Sequence, residues 1–347
     1  MTNLRMPSEW APQSFVLIAW PDPEGDFSPW LEEVERCYGL IAAVISQHQP
    51  VLILFRESAR LNAIRQRLQQ QKAVDSNVRF LQAAYDDVWV RDTAPLAVMK
   101  NYRPVLVNFL FNGWGEKYPC QKDQKLGETL YQSGVFGDIH YQKVDWVLED
   151  GSIETDGEGT LLATRRSIFN PNRNDDPENA EAVLRNHLGF KRFLWLDHGH
   201  LEGDDTDAHI DTLARFCQPD TIAYTACDNP DDSHYSDLKA MATQLAAFKT
   251  PTGNPYRLSP LPIPKPIYDD EGRRLPANYA NFLIINGAVL VPVYNDPADR
   301  IALAQLKVCF PGRKIIPIPA KPLIHQYGSL HCMSMQYPAA VKCEVKQ

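Results

Sequence analysis

Residues 281–294 read Asn-Phe-Leu-Ile-Ile-Asn-Gly-Ala-Val-Leu-Val-Pro-Val-Tyr. Two apolar arms, 282–285 and 288–293, flank Asn286-Gly287, the favoured two-residue hairpin turn. A run of helical period follows over 297–309, then a short strand over 314–319. Short elements of the same kind recur upstream. Strands are expected at 15–20, 51–55, 78–81, 105–111, 141–148, 193–196 and 221–225. Ile153 and 159–164 form a further hairpin-like pair. Helices are expected at 28–48, 57–71, 177–188 and 236–248, the first opened by Ser28 as N-cap and Pro29 at the first helical position. The proline-rich piece 259–276 reads as a surface excursion. This is an α/β pattern built from short strands and hairpins. No glycine-rich phosphate loop follows a strand, which disfavours a dinucleotide-binding sheet. No linker splits the chain, so 1–347 is expected to form one domain.

Composition narrows the class. With 44% hydrophobic residues the 347-residue chain can bury a core. Its formal net charge of −8 argues against nucleic acid or an anionic membrane as partner and is compatible with a small cationic ligand. The seven cysteines are odd in number and contain no C-x-x-C pair, as free thiols in a reducing compartment would. Residues 1–12 show no apolar signal core, and no run approaches the ~20 apolar residues of a membrane-spanning helix, so a soluble cytoplasmic protein is expected.

Four polar clusters can carry chemistry. Asp86-Asp87-Val88-Trp89-Val90-Arg91-Asp92 combines three carboxylates with an Arg and a Trp in a segment of apolar alternation; by itself it reads as a solvated loop with an ion pair. Leu148-Glu149-Asp150-Gly151-Ser152 suits a turn. In 203–211, His209 and Asp211 are two apart and share a side if the segment is extended, a plausible acid–base pair. The alternatives are a capped turn or a calcium loop, although the central Gly and terminal Glu of an EF-hand are missing. In 326–333, Cys332 follows a Gly-Ser loop; a buried structural thiol is the plain alternative, and an extended backbone would turn His331 away. The pair His198-x-His200 has no third ligand at helical spacing, so no metal is expected. A thiol, a His and a surplus of carboxylates together suit a planar cationic substrate held as carboxylates hold a guanidinium.

These residues resemble the agmatine deiminases and the related bacterial peptidyl-arginine deiminases of the guanidino-group-modifying, or pentein, superfamily. The likeness runs nearly end to end. Met6-Pro7-Ser8-Glu9-Trp10 and Ala19-Trp20-Pro21 resemble the family's opening, and 87–95 resembles its W-x-R-D-T-G-P motif. Phe111-Asn112-Gly113-Trp114-Gly115 resembles F-N-A-W-G, 148–152 resembles L-E-G-G-S, and Asp204–Asp211 resembles D-D-T-D-G-H-[IV]-D. Ala280-Asn281-Phe282 and 328–332 resemble A-N-F and G-G-N-[IV]-H-C. Ala94, Asp150, Ala208 and Tyr327 stand where the pattern usually has Gly; of these, Asp150 and Tyr327 are the two expected to reshape the pocket for a substrate other than agmatine.

The resemblance implies a five-bladed ββαβ propeller with one central site and hydrolysis of agmatine to N-carbamoylputrescine and ammonia, a step of putrescine and polyamine synthesis. It implies Cys332 as nucleophile, His209 as acid and base, Glu149 as partner of His209, and Asp92 and Asp211 as guanidinium ligands. Trp89 and Trp114 would wall the pocket. No cofactor and no metal are implied, and a homo-oligomer is left open. Peptidyl-arginine or another guanidine as substrate, a cysteine hydrolase acting on amides, and a non-catalytic guanidine- or calcium-binding protein are the alternatives.

Overall fold

A computed structural model describes residues 3–345. Met1, Thr2, Lys346 and Gln347, the ends of the stretch expected to form one domain, lie outside the described residues. In chain order come β1 (Leu4–Arg5), β2 (Gln13–Ala19), helix α1 (Leu31–Ser46), β3 (Val51–Phe55), α2 (Leu61–Gln70) and β4 (Val78–Gln82). Next are β5 (Leu96–Lys100), β6 (Arg103–Leu110), α3 (Asp123–Gln132) and β7 (His140–Val147). Then follow β8 (Glu154–Thr155), β9 (Thr160–Thr164), α4 (Ala180–Leu188) and β10 (Arg192–Leu196), then β11 (Ala214–Gln218), β12 (Thr221–Ala226), α5 (Tyr235–Ala247) and β13 (Arg257–Pro262). The series closes with β14 (Leu283–Ile285), β15 (Ala288–Val293), α6 (Pro297–Cys309), β16 (Lys314–Pro319) and β17 (Ser334–Pro338).

The strands form five small sheets with one repeated connectivity. An antiparallel pair is followed by a helix that returns the chain parallel to the second strand: β5-β6-β7, β8-β9-β10, β11-β12-β13 and β14-β15-β16. The antiparallel step needs only a short turn, whereas the parallel step needs a crossover. The fifth sheet, β17-β2-β3-β4, is closed by the two ends of the chain, β17 running antiparallel to β2. This is the five-bladed ββαβ propeller.

Several elements escape a reading of the sequence, each for a local reason. The β5–β6 turn is Asn101-Tyr102, both at positive φ (49° and 66°) but without the usual Gly. Arg215 interrupts the apolar run of β11. Strand β13 carries Pro260 and Pro262 inside what reads as an excursion; it is an edge strand bonded only to β12, where missing N–H groups cost little. Ser28 does not cap α1 but begins a 3₁₀ turn, Ser28–Trp30, ahead of it, with no side-chain cap.

The blades place five turns at one spot. Each turn immediately precedes the first strand of its blade, and each bonds to the next around a ring. Asp92, before β5, accepts from the Gly151 N–H, before β8 (3.0 Å). Glu149 meets His209, before β11 (3.2 Å). The Asp211 carbonyl accepts from Asn281, before β14 (3.4 Å), and Asn281 Oδ1 accepts from the His331 N–H, before β17 (3.0 Å). The Cys332 carbonyl accepts from the Arg91 N–H and completes the circle (3.2 Å).

Under this ring lies a buried ion network. Arg215, fully buried, donates Nε to Glu154 on β8, Nη2 to Glu9 (2.6 Å), and Nη1 to the carbonyls of Ala280 (3.2 Å) and Phe282 (3.1 Å). Glu9 also lies 2.6 Å from His331 Nε2 and 3.5 Å from Arg91, which pairs with Asp150 at 2.9 Å. Removing Arg215 strands two carboxylates in the interior. Arg215→Met should therefore cost about 3–5 kcal/mol in urea denaturation; a loss below about 1 kcal/mol would mean that the axis does not depend on this cation.

Candidate active site

The segment 86–92 is not extended: Val90–Thr93 is one helical turn, and it turns Asp92 inward. Oδ1 of Asp92 accepts from the Gly151 N–H and Oδ2 accepts from Trp114 Nε1 at 2.9 Å. Trp114 reaches that point from a left-handed backbone (φ 55°), in a loop where the Asn112 side chain accepts from the Gly115 N–H. Asp211 likewise sits on a 3₁₀ turn, Ile210–Thr212, with His209 immediately ahead of it, rather than on a strand. His209 Nε2 lies 3.2 Å from Glu149, and its Nδ1 is 4.0 Å from Asp92. Asp211 Oδ2 lies 2.8 Å from His331 Nδ1 and accepts from the Cys332 thiol at 3.3 Å.

Asp211 Oδ1 is buried and has no hydrogen-bond partner among the described residues. An ionised oxygen left so is costly unless a ligand completes it.

Burial works against charge on His209, but Asp92, Glu149 and Asp211 outweigh it and raise the imidazole to about 9. Burial raises Asp92 to about 6, assisted by Glu149 and Asp211 and opposed by His209. For Glu149 burial is outweighed by His209 and Arg173, and for Asp211 by His331 and His209, so both carboxyls fall below their ordinary range. The Cys332 thiol is pushed well up by burial and then by Asp211 and Asp92. At neutral pH the cluster therefore holds an imidazolium, carboxylates and a protonated thiol.

The cluster opens into a cleft of about 520 Å³, measured out to solvent, whose walls include Trp89, Trp114, Tyr118, Tyr327 and Cys332. Six aspartates line it (Asp26, Asp87, Asp92, Asp204, Asp205 and Asp211) and no Lys or Arg does. Tyr327, at φ 65°, takes a left-handed backbone at its rim. Asp150 does not belong to this cleft; it pairs with Arg91 on the axis, contrary to the expectation that it reshapes the pocket. Ala208 (φ 66°) shares the left-handed backbone, whereas Ala94 (φ −85°) does not, so its backbone makes no demand for Gly.

Three functional neighbours are invisible in the sequence pattern. His331 is held on a turn against Asp211 rather than turned away by a strand. Arg173 crosses from a polar loop to give Glu149 its Nε at 3.1 Å. Asn281, fully buried, touches the Cys332 sulfur at 3.1 Å. The one available signal was a lone Arg or Asn inside an otherwise apolar run, as at Arg215 and Asn281.

Residues 5–338 match the family described as Porphyromonas-type peptidyl-arginine deiminase. The chain is 32% identical to an agmatine deiminase of Ectopseudomonas mendocina (strain ymp), covering 97% of this chain and 96% of that protein. Among solved structures, a putative arginine deiminase from Porphyromonas gingivalis is similar with a TM-score of 0.90 and 40% identity, covering 98% of this chain and 100% of the other. A cysteine-to-serine variant of C. jejuni agmatine deiminase with substrate bound has a TM-score of 0.89 and 35% identity, covering 97% and 96%.

Gly151 allows the groups to converge. A Cβ there would lie 2.7 Å from His209 Nδ1, 3.0 Å from Asp92 Oδ1 and 3.2 Å from Asp211 Oδ2. Gly151→Ala should displace the imidazole and lower turnover about 100-fold, the scale of an ångström-sized misplacement. A crystal structure of the variant with His209 still in hydrogen-bond contact with Glu149 would contradict this.

Proposed function

We propose that this chain, which belongs to the Porphyromonas-type peptidyl-arginine deiminase family, is an agmatine deiminase that hydrolyses agmatine to N-carbamoylputrescine and ammonia. The observation that carries the proposal is a thiol bonded to one buried aspartate, Asp211, which keeps an unpartnered oxygen, within the field of a second, Asp92. A guanidinium seated between Asp92 and Asp211 satisfies that oxygen and offsets the two charges that hold the Cys332 proton in place. The thiol proton then leaves to solvent, and nucleophile and substrate cation form one unit.

The Cys332 sulfur attacks the central guanidinium carbon and forms the S–C bond. His209, already an imidazolium, gives its proton to the departing nitrogen. The C–N bond breaks, ammonia leaves, and a cationic amidino-thioether remains on Cys332. Neutral His209 next takes a proton from water, whose oxygen bonds to the same carbon. The C–S bond breaks with its electron pair on sulfur, and the hydroxyl proton lost by the product balances the ammonia to ammonium. Glu149, itself held by Arg173, keeps the imidazole aimed through both halves. Trp89 and Trp114 flank the cation, and Trp114 also fixes Asp92.

Agmatine is favoured over free arginine because a second positive charge suits a cleft of six aspartates, while no Lys or Arg lines it to receive an α-carboxylate. Peptidyl-arginine is the second reading, supported by the family description and the P. gingivalis likeness. The aspartates and the half-buried Tyr327 at the rim weigh against a peptide chain. All seven cysteines are unpaired, which supports a cytoplasmic setting, and no helix among the described residues is long and apolar enough to cross a membrane.

Ammonia release over a panel of guanidines tests the reading. Agmatine should exceed L-arginine and benzoyl-arginine amide in kcat/KM by at least about tenfold, and Cys332→Ser should abolish release. Equal or better rates with either arginine compound would replace the substrate assignment. The pH profile gives an independent check. The His209 proton is present below its raised pKa, so kcat/KM should fall as pH rises through about 9. A profile still climbing above about pH 10 would remove His209 as the acid.

A further inference from the structure

Asp92 and Asp211 are each backed by the same succession of groups. On one side Asp92 stands 4.0 Å from His209 Nδ1, His209 Nε2 lies 3.2 Å from Glu149, and Glu149 accepts from Arg173 Nε at 3.1 Å. On the other, Asp211 Oδ2 stands 2.8 Å from His331 Nδ1, His331 Nε2 lies 2.6 Å from Glu9, and Glu9 accepts from Arg215 Nη2 at 2.6 Å. The proposed chemistry uses only the first imidazole.

The two units differ at one joint. His209 Nδ1 is beyond hydrogen-bond reach of Asp92, so its proton is free for a substrate nitrogen. His331 Nδ1 is bonded. Both of its ring nitrogens face carboxylate oxygens, which only accept, so both carry hydrogen and neither is spare. The ring is buried, and its backbone N–H is held by Asn281 Oδ1 at 3.0 Å. Asp211 Oδ2 thus accepts from His331 and from the Cys332 thiol, while Oδ1 keeps no partner among the described residues. Burial raises the Asp211 carboxyl; His331, by hydrogen bond and by charge, leads the groups that bring it below the ordinary range, with His209 and Arg215 behind it. Asp92 and the thiol are the other titratable groups facing Asp211, and Glu9 and Asp150 face His331 from the far side.

We propose that His331 is a positioning residue for the deimination: its Nδ1–H occupies Oδ2 of Asp211 and so leaves Oδ1 as the oxygen that takes a guanidinium nitrogen. This rests on the reading that Asp211 binds the guanidinium. Glu9, anchored by Arg215, fixes the ring from behind, which ties the ion network of the axis to one substrate-facing oxygen. Without the imidazole the Asp211 carboxylate loses both the bond that sets its rotation and the nearest charge that keeps it ionised.

The test is ammonia release from agmatine, with kcat and KM followed from neutral pH down through the carboxylate range, in wild type, His331→Ala, His331→Asn and Asp211→Asn. His331→Ala should raise KM about tenfold or more, the scale of a lost hydrogen bond to a charged group, with a smaller fall in kcat. His331→Asn keeps a neutral side-chain N–H near Oδ2 and should recover most of that loss at neutral pH. The pH profile separates this role from packing. In wild type Asp92 titrates at about 6 and Asp211 lies lower, so below that point kcat/KM should fall with one proton, about tenfold per pH unit. Neither variant carries the imidazole charge, so Asp211 rises toward Asp92 and the fall should steepen toward about a hundredfold per unit in both. If His331→Ala does not fold, the slope in His331→Asn decides. A one-proton slope in the His331 variants, whatever their KM, with Asp211→Asn disabled, would overturn the role of His331 alone. Wild-type KM and kcat in Asp211→Asn would overturn the guanidinium assignment itself.

Discussion

Five turns can meet at one point only if the charges they carry are paired there, and Arg215 supplies much of that pairing. It projects from β11 into the axis and binds Glu154 from one neighbouring blade, the Ala280 and Phe282 carbonyls from the other, and Glu9 from the N-terminal segment. Each partner is itself tied onward: Glu9 lies against His331 and Arg91, and Arg91 against Asp150. Desolvating these groups is expensive, so the network does not hold the fold together by net stabilisation. It makes the arrangement all-or-none: a blade that shifts leaves a charge unpaired. The ring of turns above it inherits that register.

The ring then carries an imbalance that the axis does not correct. Asp92 and Asp211 face the cleft with the imidazoles of His209 and His331 beside them, and four more aspartates line the way in. On the proposed mechanism this explains a feature that is awkward in isolation, a Cys332 thiol held protonated by its own neighbours. A free enzyme with a permanent thiolate beside two carboxylates would be costly, and the reactive sulfur would be open to any electrophile. On the reading proposed above, a cationic substrate removes the penalty by occupying the space between the aspartates. Arg215 shows the same chemistry inside the protein: a guanidinium buried between two carboxylates.

Departures from the family's glycines separate by what the backbone asks of each position. Ala208 and Tyr327 occupy left-handed backbone where Gly is the unstrained residue, at a cost of about 1–2 kcal/mol each. Ala94 sits in ordinary extended backbone and costs nothing. Asp150 supplies the charge that Arg91 pairs with. Only Tyr327 of the four lines the cleft, so the strained position and the substrate-facing position coincide in it.

The order of short strands and helices was legible because apolar period and turn chemistry are local: Pro297–Cys309 and Lys314–Pro319 form as read, and the Asn286-Gly287 turn joins its two arms. The site motifs were legible as well, since a thiol, a His and clustered carboxylates survive as residue types in a linear string. Elements that break a local rule were not, as with the Asn101-Tyr102 turn and the prolines of β13, whose tolerance depends on neighbours far along the chain. Tertiary structure alone decided that His331 faces Asp211, that Arg173 reaches Glu149 and that Asn281 faces the sulfur. These contacts join residues 24 to 120 apart, at positions where a tight turn rather than a strand sets the side-chain direction. Periodicity predicts direction only while the backbone is regular, and the groups of the candidate site sit where it stops being so.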